Sequence, residues 1–350
     1  MSICEIGSEF QYKEIEECAR VPFEPSVNVK SLVFSGRTAL ETVLKNEPTI
    51  KKAMLPSYCC DSMIEPFRRA GIEVDFYPVF YEDGLRMDLD IPGDVDCLLW
   101  CNYFGFRNEM PDLTCFIERG GIIIEDITHS LYSDQPSHRQ SHYLVASVRK
   151  WEPVLCGGYC ASRKGPWTVF PDETPPTEFL KLKRTAMQMK AQYLQGDTAI
   201  DKDTYLRLFS RSNHWLEEHY TGLTIDAYSE NYFRNVDWKA HANARRRNAM
   251  VLYKALEDCA DIRFLFEPSR MDCPLFVPVL IESTKRDAVR QILIENQIYC
   301  PVHWPVSEHH HLTLGTKTLY EMELSLVCDH RYKTDDMYTM AEMIKESFWG

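Results

Sequence analysis

Two short segments carry residue types that can do covalent chemistry. In Gly121-Ile-Ile-Ile-Glu125-Asp126-Ile-Thr-His129 a carboxylate closes an apolar, strand-like run. In Ala146-Ser147-Val148-Arg149-Lys150 a single Lys follows a small-polar turn, and Gly157-Gly158 comes soon after. A buried Lys amine with a lowered proton affinity attacks aldehydes. A carboxylate at the end of an apolar strand is costly unless a cation pairs with it. Both needs are met by pyridoxal phosphate (PLP): Lys150 forms the Schiff base and Asp126 pairs with the pyridinium nitrogen, which keeps the ring an electron sink.

Other residues fit around that pair. Gly36-Arg37 open a helical pattern directly after the apolar run 31–34, and bare N–H groups at a helix start favour a phosphate. Ser147 places a hydroxyl near Lys150. Tyr58 follows Pro56-Ser57 at another strand end, where its ring either stacks on a cofactor or fills the core. His309-His310-His311 is assigned to a loop and no metal is expected. Three consecutive His side chains diverge from any regular backbone, and no Asp, Glu or Cys stands at metal-ligand spacing.

The elements that must position these residues alternate. Strands are expected at 31–34, 52–55, 73–78, 97–102 and 121–125. Helices are expected after Ser35, over 64–70 with Gly71 as the stop, and over 110–119. The runs Cys97–Asn102 and Gly121–Glu125 are continuously apolar, as in parallel strands buried on both faces. Gly36, Asn102, Asp126 and Lys150 fall at or beyond strand ends, where active sites of such sheets lie. Pro166–Pro176 reads as a loop. Further helices are expected at 179–194, 204–220, 237–256, 285–296 and 337–347, with strands at 263–267 and 274–281. The division expected is an N-terminal arm, 1–30, a large domain, 31–235, and a smaller C-terminal α/β domain, 236–350, on which the arm packs.

Taken together, Ser35-Gly36-Arg37-Thr38-Ala39-Leu40, Leu55-Pro56-Ser57-Tyr58, Glu125-Asp126-Ile-Thr-His129 and Ser147-Val-Arg-Lys150 resemble the DegT/DnrJ/StrS family of PLP-dependent sugar aminotransferases. That family lies within the fold type I, aspartate aminotransferase-like superfamily. The resemblance implies a mainly parallel, seven-stranded-type sheet flanked by helices, plus the smaller C-terminal domain. It implies that His129 contacts the ring near its phenolic oxygen and that Tyr58 stacks over it. It also implies that Asn231, in Asn231-Tyr-Phe-Arg234, reaches the partner's cofactor across a homodimer. His303 and Arg331 are candidate substrate contacts, with a surface ion pair as the plain alternative for Arg331. The implied acceptor is a keto-sugar carried on a nucleotide, with glutamate as amino donor. Arg37 departs from the Gly-Thr usual in the family, and the Ser147–Lys150 spacing is shorter than usual by about two residues.

A dehydratase branch of the family has His where the Schiff-base Lys would be, so Lys150 argues against it. The alternative in another class is a PLP-fold protein with a different or lost activity, serving a binding or regulatory role. A dehydrogenase lacks its Gly-x-Gly-x-x-Gly signature here. Net charge −13 over 350 residues argues against a nucleic-acid surface. No apolar run approaches membrane-spanning length, and no signal peptide is recognised at the N-terminus. The 13 Cys lack regular spacing. Free thiols in a reducing cytoplasm are the expectation. Cell-surface polysaccharide synthesis and natural-product glycosylation stay open as settings.

Overall fold

The computed structural model describes residues 5–15, 27, 29–134 and 137–348. Its centre is a seven-stranded sheet: β1 Val29–Val33, β2 Lys52–Pro56, β3 Glu73–Tyr77, β4 Cys97–Cys101, β5 Ile122–Asp126, β6 Tyr143–Ser147 and β7 Gly158–Ser162. The strand order is β1-β7-β6-β5-β4-β2-β3. Only β7 runs against its neighbours, β1 and β6, while β6-β5-β4-β2-β3 are parallel. Every residue of β4 and β5 is buried, as continuous apolar runs between two helical layers require.

Local chemistry sets the helix boundaries near the site. Helix α1, Gly36–Asn46, is capped by Ser35, whose extended backbone lets its Oγ accept from Thr38 N–H. Helix α2, Asp61–Arg69, ends where Gly71 takes φ +74°, with Gly71 N–H bonded to Arg68 O and Ile72 N–H to Phe67 O. The helix expected over 110–119 is only Thr114–Glu118, here α3. Pro111 disfavours helical backbone before it, and Asp112 Oδ1 binds Thr114 N–H and Oγ1–H, so the helix starts after that turn.

Beyond the sheet, α4 Thr177–Leu194 and α5 Lys202–Glu218 form an antiparallel pair, and α6 Ala227–Asn235 leads to the long α7 Trp238–Leu256. A three-stranded antiparallel sheet follows, with β8 Arg263–Phe264, β9 Phe276–Leu280 and β10 Glu323–Val327 in the order β8-β9-β10. Helices α8 Ser283–Glu295, α9 Leu314–Met322 and α10 Thr334–Glu346 pack around it. No helix among the described residues is long and apolar enough to cross a membrane.

The described part of the N-terminal arm is a strap between these two regions. Ile6–Gly7 pairs in parallel with Ile298–Tyr299. Lys190 of α4 donates to Ser8 Oγ and to Glu9 O at 2.6 and 2.7 Å. Arg331 does not contact the cavity described below. Its guanidinium forks onto Asp329, donates to the carbonyls of Ser8 and Glu9, and lies 4.1 Å from the Phe10 ring centroid. The expected substrate role therefore gives way to a buried ion pair that pins the strap.

Burial opposes the charge on Asp329, but the Arg331 guanidinium outweighs it and holds the carboxyl well below its ordinary value. A depressed carboxylate stabilises the fold above its unfolded-state pKa and loses that contribution as pH falls. Replacing Arg331 with Met should therefore cost about 3 kcal/mol at neutral pH. It should also flatten the loss of stability below about pH 4. Urea unfolding of both proteins across that range checks the magnitude and the slope.

Candidate active site

The carboxyl ends of β5 and β6 face the start of α1, and the cavity between them holds about 100 Å³. Two close approaches shape it. A Cβ on Gly158 would lie 2.0 Å from Ser35 O, and one on Gly36 would lie 3.3 Å from Ser147 Cβ. The cap uses Thr38 N–H, and Ala39 N–H binds Ser35 O. Neither bond uses the N–H groups of Gly36 and Arg37, two cavity-lining residues. This positive helix end and the Ser147 side chain make an anion cradle.

Lys150 sits at the end of a short 3-10 turn, Val148–Lys150, in the connection from β6 to β7. The next residue anchors that turn: Trp151 is fully buried and its indole donates to Thr128 O at 2.6 Å. The Lys150 ammonium forms no hydrogen bond or ion pair among the described residues. It lines the cavity and acts electrostatically on Asp126, His129 and His303.

Asp126 ends β5 as expected, and its Oδ1 accepts from Thr128 N–H at 2.7 Å. Burial pushes its carboxyl above the ordinary value, against the Thr128 hydrogen bonds and the Lys150 charge, which act downward. A cationic ring N–H in the cavity would relieve that burial. His129 lies on the same wall. Its Nδ1 accepts from Phe104 N–H at 3.2 Å, which puts the ring proton on Nε2. Burial, with Lys150 and His303, holds its pKa far below normal, so the ring is a neutral donor.

Six sequence-predicted residues thus converge on the cavity: Gly36, Arg37, Asp126, His129, Ser147 and Lys150. The Arg37 side chain also borders an outer cleft, with Nε 3.9 Å from Glu65 of α2. Tyr58 is not in the cavity wall. Its ring is fully buried among Tyr103, Trp304 and Tyr320, one layer behind, and Cys60 lines the wall instead. His303 does not line the cavity either. It backs His129 at 5.7 Å, with Nδ1 2.8 Å from Ser325 Oγ, which in turn donates to Glu323. Asn231 is exposed on α6 and accepts from Asn235, away from this chain's own cavity.

Three contributors had no role assigned from sequence. Thr128 ties the wall together, because its Oγ1 accepts from Ser147 N–H at 3.1 Å. The Asp-x-Thr spacing carried that signal. Trp304 stacks on His129 at 5.6 Å and 27° and supplies the aromatic surface that Tyr58 does not. Arg149 lines the cavity with a buried Nε that has no hydrogen-bond partner. Burial pulls its pKa below the usual value, with Glu9 opposing and Arg37 adding to the effect. A guanidinium so placed fits an anion at the cradle. These residues fit PLP: the cradle and Arg149 suit its phosphate, Asp126 its ring nitrogen, His129 its phenolic oxygen and Lys150 its aldehyde.

No protein-family model and no curated sequence matches the chain. Solved structures do match in fold. The PLP form of the putative sugar aminotransferase Spr1654 from Streptococcus pneumoniae is 13% identical, with TM-score 0.65, over 92% of this chain and 88% of that one. PseC from Helicobacter pylori, an aminotransferase of pseudoaminic acid biosynthesis, is 12% identical, with TM-score 0.65, over 93% and 88%. DesI, solved in the presence of its TDP-sugar product, is 14% identical, with TM-score 0.61, over 92% and 81%. The chain has the fold of these enzymes, a mainly parallel α/β sheet with a smaller C-terminal layer, as the sequence led us to expect.

The glycine contacts give a direct test of the cavity's frame. Gly158→Ala forces the Ser35 carbonyl away and should destabilise the protein by about 3 kcal/mol. Thermal unfolding measures this. Gly165→Ala, where a Cβ meets nothing within 4 Å but the backbone φ is +129°, gives the backbone-strain control.

Proposed function

We propose that this protein is a PLP-dependent aminotransferase. A single arrangement carries the reading: a Lys amine with no hydrogen bond or ion pair among the described residues, a buried carboxylate and an anion cradle converge on one cavity at the carboxyl edge of the sheet. PLP, when bound, supplies an aldehyde that takes up an amino group and a ring that holds the electron pair released at the amine-bearing carbon.

The chain's own residues do the rest. Lys150 is the covalent attachment amine; once displaced, its Nζ takes the proton from the substrate carbon and returns it on the other side of the exchange. Asp126 holds the proton on the ring nitrogen. Thr128 fixes the Asp126 carboxylate. His129 donates from Nε2 toward the phenolic oxygen. Arg149, Ser147 and the N–H groups of Gly36 and Arg37 hold the phosphate. Trp304, which lines the cavity and stacks on His129, would shield the bound ring from water.

In this reading residues 31–235 bind the cofactor, residues 236–350 close over it, and residues 1–30 form an arm. The acceptor is a keto-sugar on a nucleotide and the donor an amino acid. That DesI was solved in the presence of its TDP-sugar product supports the first choice. Two copies form a two-fold dimer, with the exposed Asn231 of each directed to the other's site. The cysteines in the described residues are all free thiols, which supports a reducing, cytoplasmic setting.

Borohydride reduction of the PLP-loaded protein, followed by peptide mapping, should place the pyridoxyl group on Lys150. Lys150→Ala should lose transamination with every amino donor. Label on another Lys, or turnover that survives the substitution, would sink the proposal. Arg149→Met should weaken PLP binding by ~10- to 100-fold with the Lys150 attachment preserved, since a charge-assisted contact contributes about 1.5–3 kcal/mol. Fluorescence titration of cofactor-free protein reads this directly.

A further inference from the structure

The turn that carries Lys150 and Trp151 continues into Glu152, a fully buried carboxylate. Its Oε1 accepts from Tyr132 O–H at 2.8 Å and lies 2.8 Å from His241 Nδ1. Its other oxygen, Oε2, is buried with no hydrogen-bond partner. His241 is in the first turn of α7, and His330 is in the turn after β10. The two imidazoles lie face to face, with centroids 3.6 Å apart and planes 7° apart. His330 Nδ1 is also buried without a partner. One potential ligand atom from each of Glu152, His241 and His330 lies within 4.8 Å of the other two. We propose that these three residues bind one divalent cation of the zinc class and that the ion ties the Lys150 turn to the C-terminal sheet.

The donor set decides the class. Two imidazole nitrogens and one carboxylate oxygen suit Zn²⁺ or Co²⁺, with water completing a four-coordinate site. Mg²⁺ and Ca²⁺ favour all-oxygen shells. Bonds of about 2.0–2.2 Å place tetrahedral ligand atoms roughly 3.3–3.6 Å apart, so the cluster must contract by about an ångström. The rings must also splay, because the in-plane lone pairs of parallel imidazoles do not converge. Both rings stand on short side chains at the ends of elements, and binding requires their side-chain torsions to change.

Charge limits the affinity. Glu152 offsets one unit of the ion's charge. Asp329, next to His330, is committed to Arg331. The Arg245 guanidinium, one turn along α7, is held by Leu275 O and lies over the Trp151 ring, where it opposes a cation. The site differs from the His309–His311 run, where His310 is occupied by Ser307 and Cys59.

The test uses full-length protein carrying its cofactor, stripped with a chelator and dialysed against Zn²⁺ buffered at about 1 µM. Metal per chain is counted by mass spectrometry, and Co²⁺ serves as a visible-absorbance probe. One equivalent is expected, with the same count in cofactor-free protein, which separates this site from metal held by PLP. His330→Ala should retain under about a tenth of it, and H309A/H310A/H311A should retain all of it. Zn²⁺ should raise the melting temperature of the parent and not of His330→Ala. His241→Ala is the second variant should His330→Ala fail to fold. Sub-stoichiometric retention, or retention unchanged in the folded variant, overturns the proposal.

Discussion

The candidate site depends on how closely β7 approaches the start of α1. A Cβ at Gly158 would collide with Ser35 O, and one at Gly36 would press on Ser147. Gly157 N–H donates to Phe34 O at 2.6 Å and Val148 N–H to Gly157 O at 3.1 Å. These contacts place the positive end of a helix against the turn that holds Lys150. Without them the N–H groups of Gly36 and Arg37 would face a side chain rather than a cavity. The antiparallel strand of the central sheet, β7, is therefore part of the chemistry, because its reversal brings the chain after Lys150 back beside α1.

Electrostatics then divides the cavity into two ends. At one end are Arg149, the α1 N-terminus and Ser147, with no carboxylate in the wall. At the other, Asp126 is buried deeply enough to lose part of its preference for ionisation, and His129 is held neutral. Neither end is satisfied by the protein alone: the first lacks an anion and the second a cationic hydrogen-bond donor. A molecule with a phosphate on one side and a protonated ring nitrogen on the other completes both at once. That complementarity argues more strongly than any one residue, since each has an ordinary structural use when taken alone.

The sequence revealed the parts of the site set by local rules. Asp126 and His129 follow an apolar run whose length and continuity mark a buried parallel strand, Ser147 and Lys150 stand out as a lone Lys after a small-polar turn, and Ser35-Gly36 marks a helix start. Strands β6 and β7 went unread, although Tyr143-Leu-Val-Ala and Gly158-Tyr-Cys-Ala carry the same apolar signal. Helices α6 and α9 went unread too. Tyr58 was misplaced because strand-end position does not determine which way an aromatic ring turns, and the rings of Tyr103, Trp304 and Tyr320 draw it inward. Arg331 was misplaced because its partners, Asp329 and the carbonyls of Ser8 and Glu9, include residues more than 300 positions away. Glu152, His241 and His330 lie 89 positions apart at each step, beyond any motif spacing.

The two places where the chain departs from the pattern it resembles lie close together in space. Arg149 lies in the wall between Ser147 and Lys150 in sequence. Its guanidinium can bring to the cradle a full positive charge that a hydroxyl lacks. Arg37, in place of a small hydroxyl residue, adds a second cation at the mouth, and Glu65 holds it from outside. Burial, with the Arg37 charge adding to it, works against the charge on Arg149. The Glu9 carboxylate offsets part of this. Burial opposes its charge, yet Lys183, Asn213 and Arg149 together hold its pKa down to about 2. Glu9 belongs to the strap that Arg331 and Lys190 pin. The N-terminal segment therefore does more than cover the surface: its Glu9 carboxylate, held by Lys183 and Asn213, also acts electrostatically in favour of the Arg149 charge.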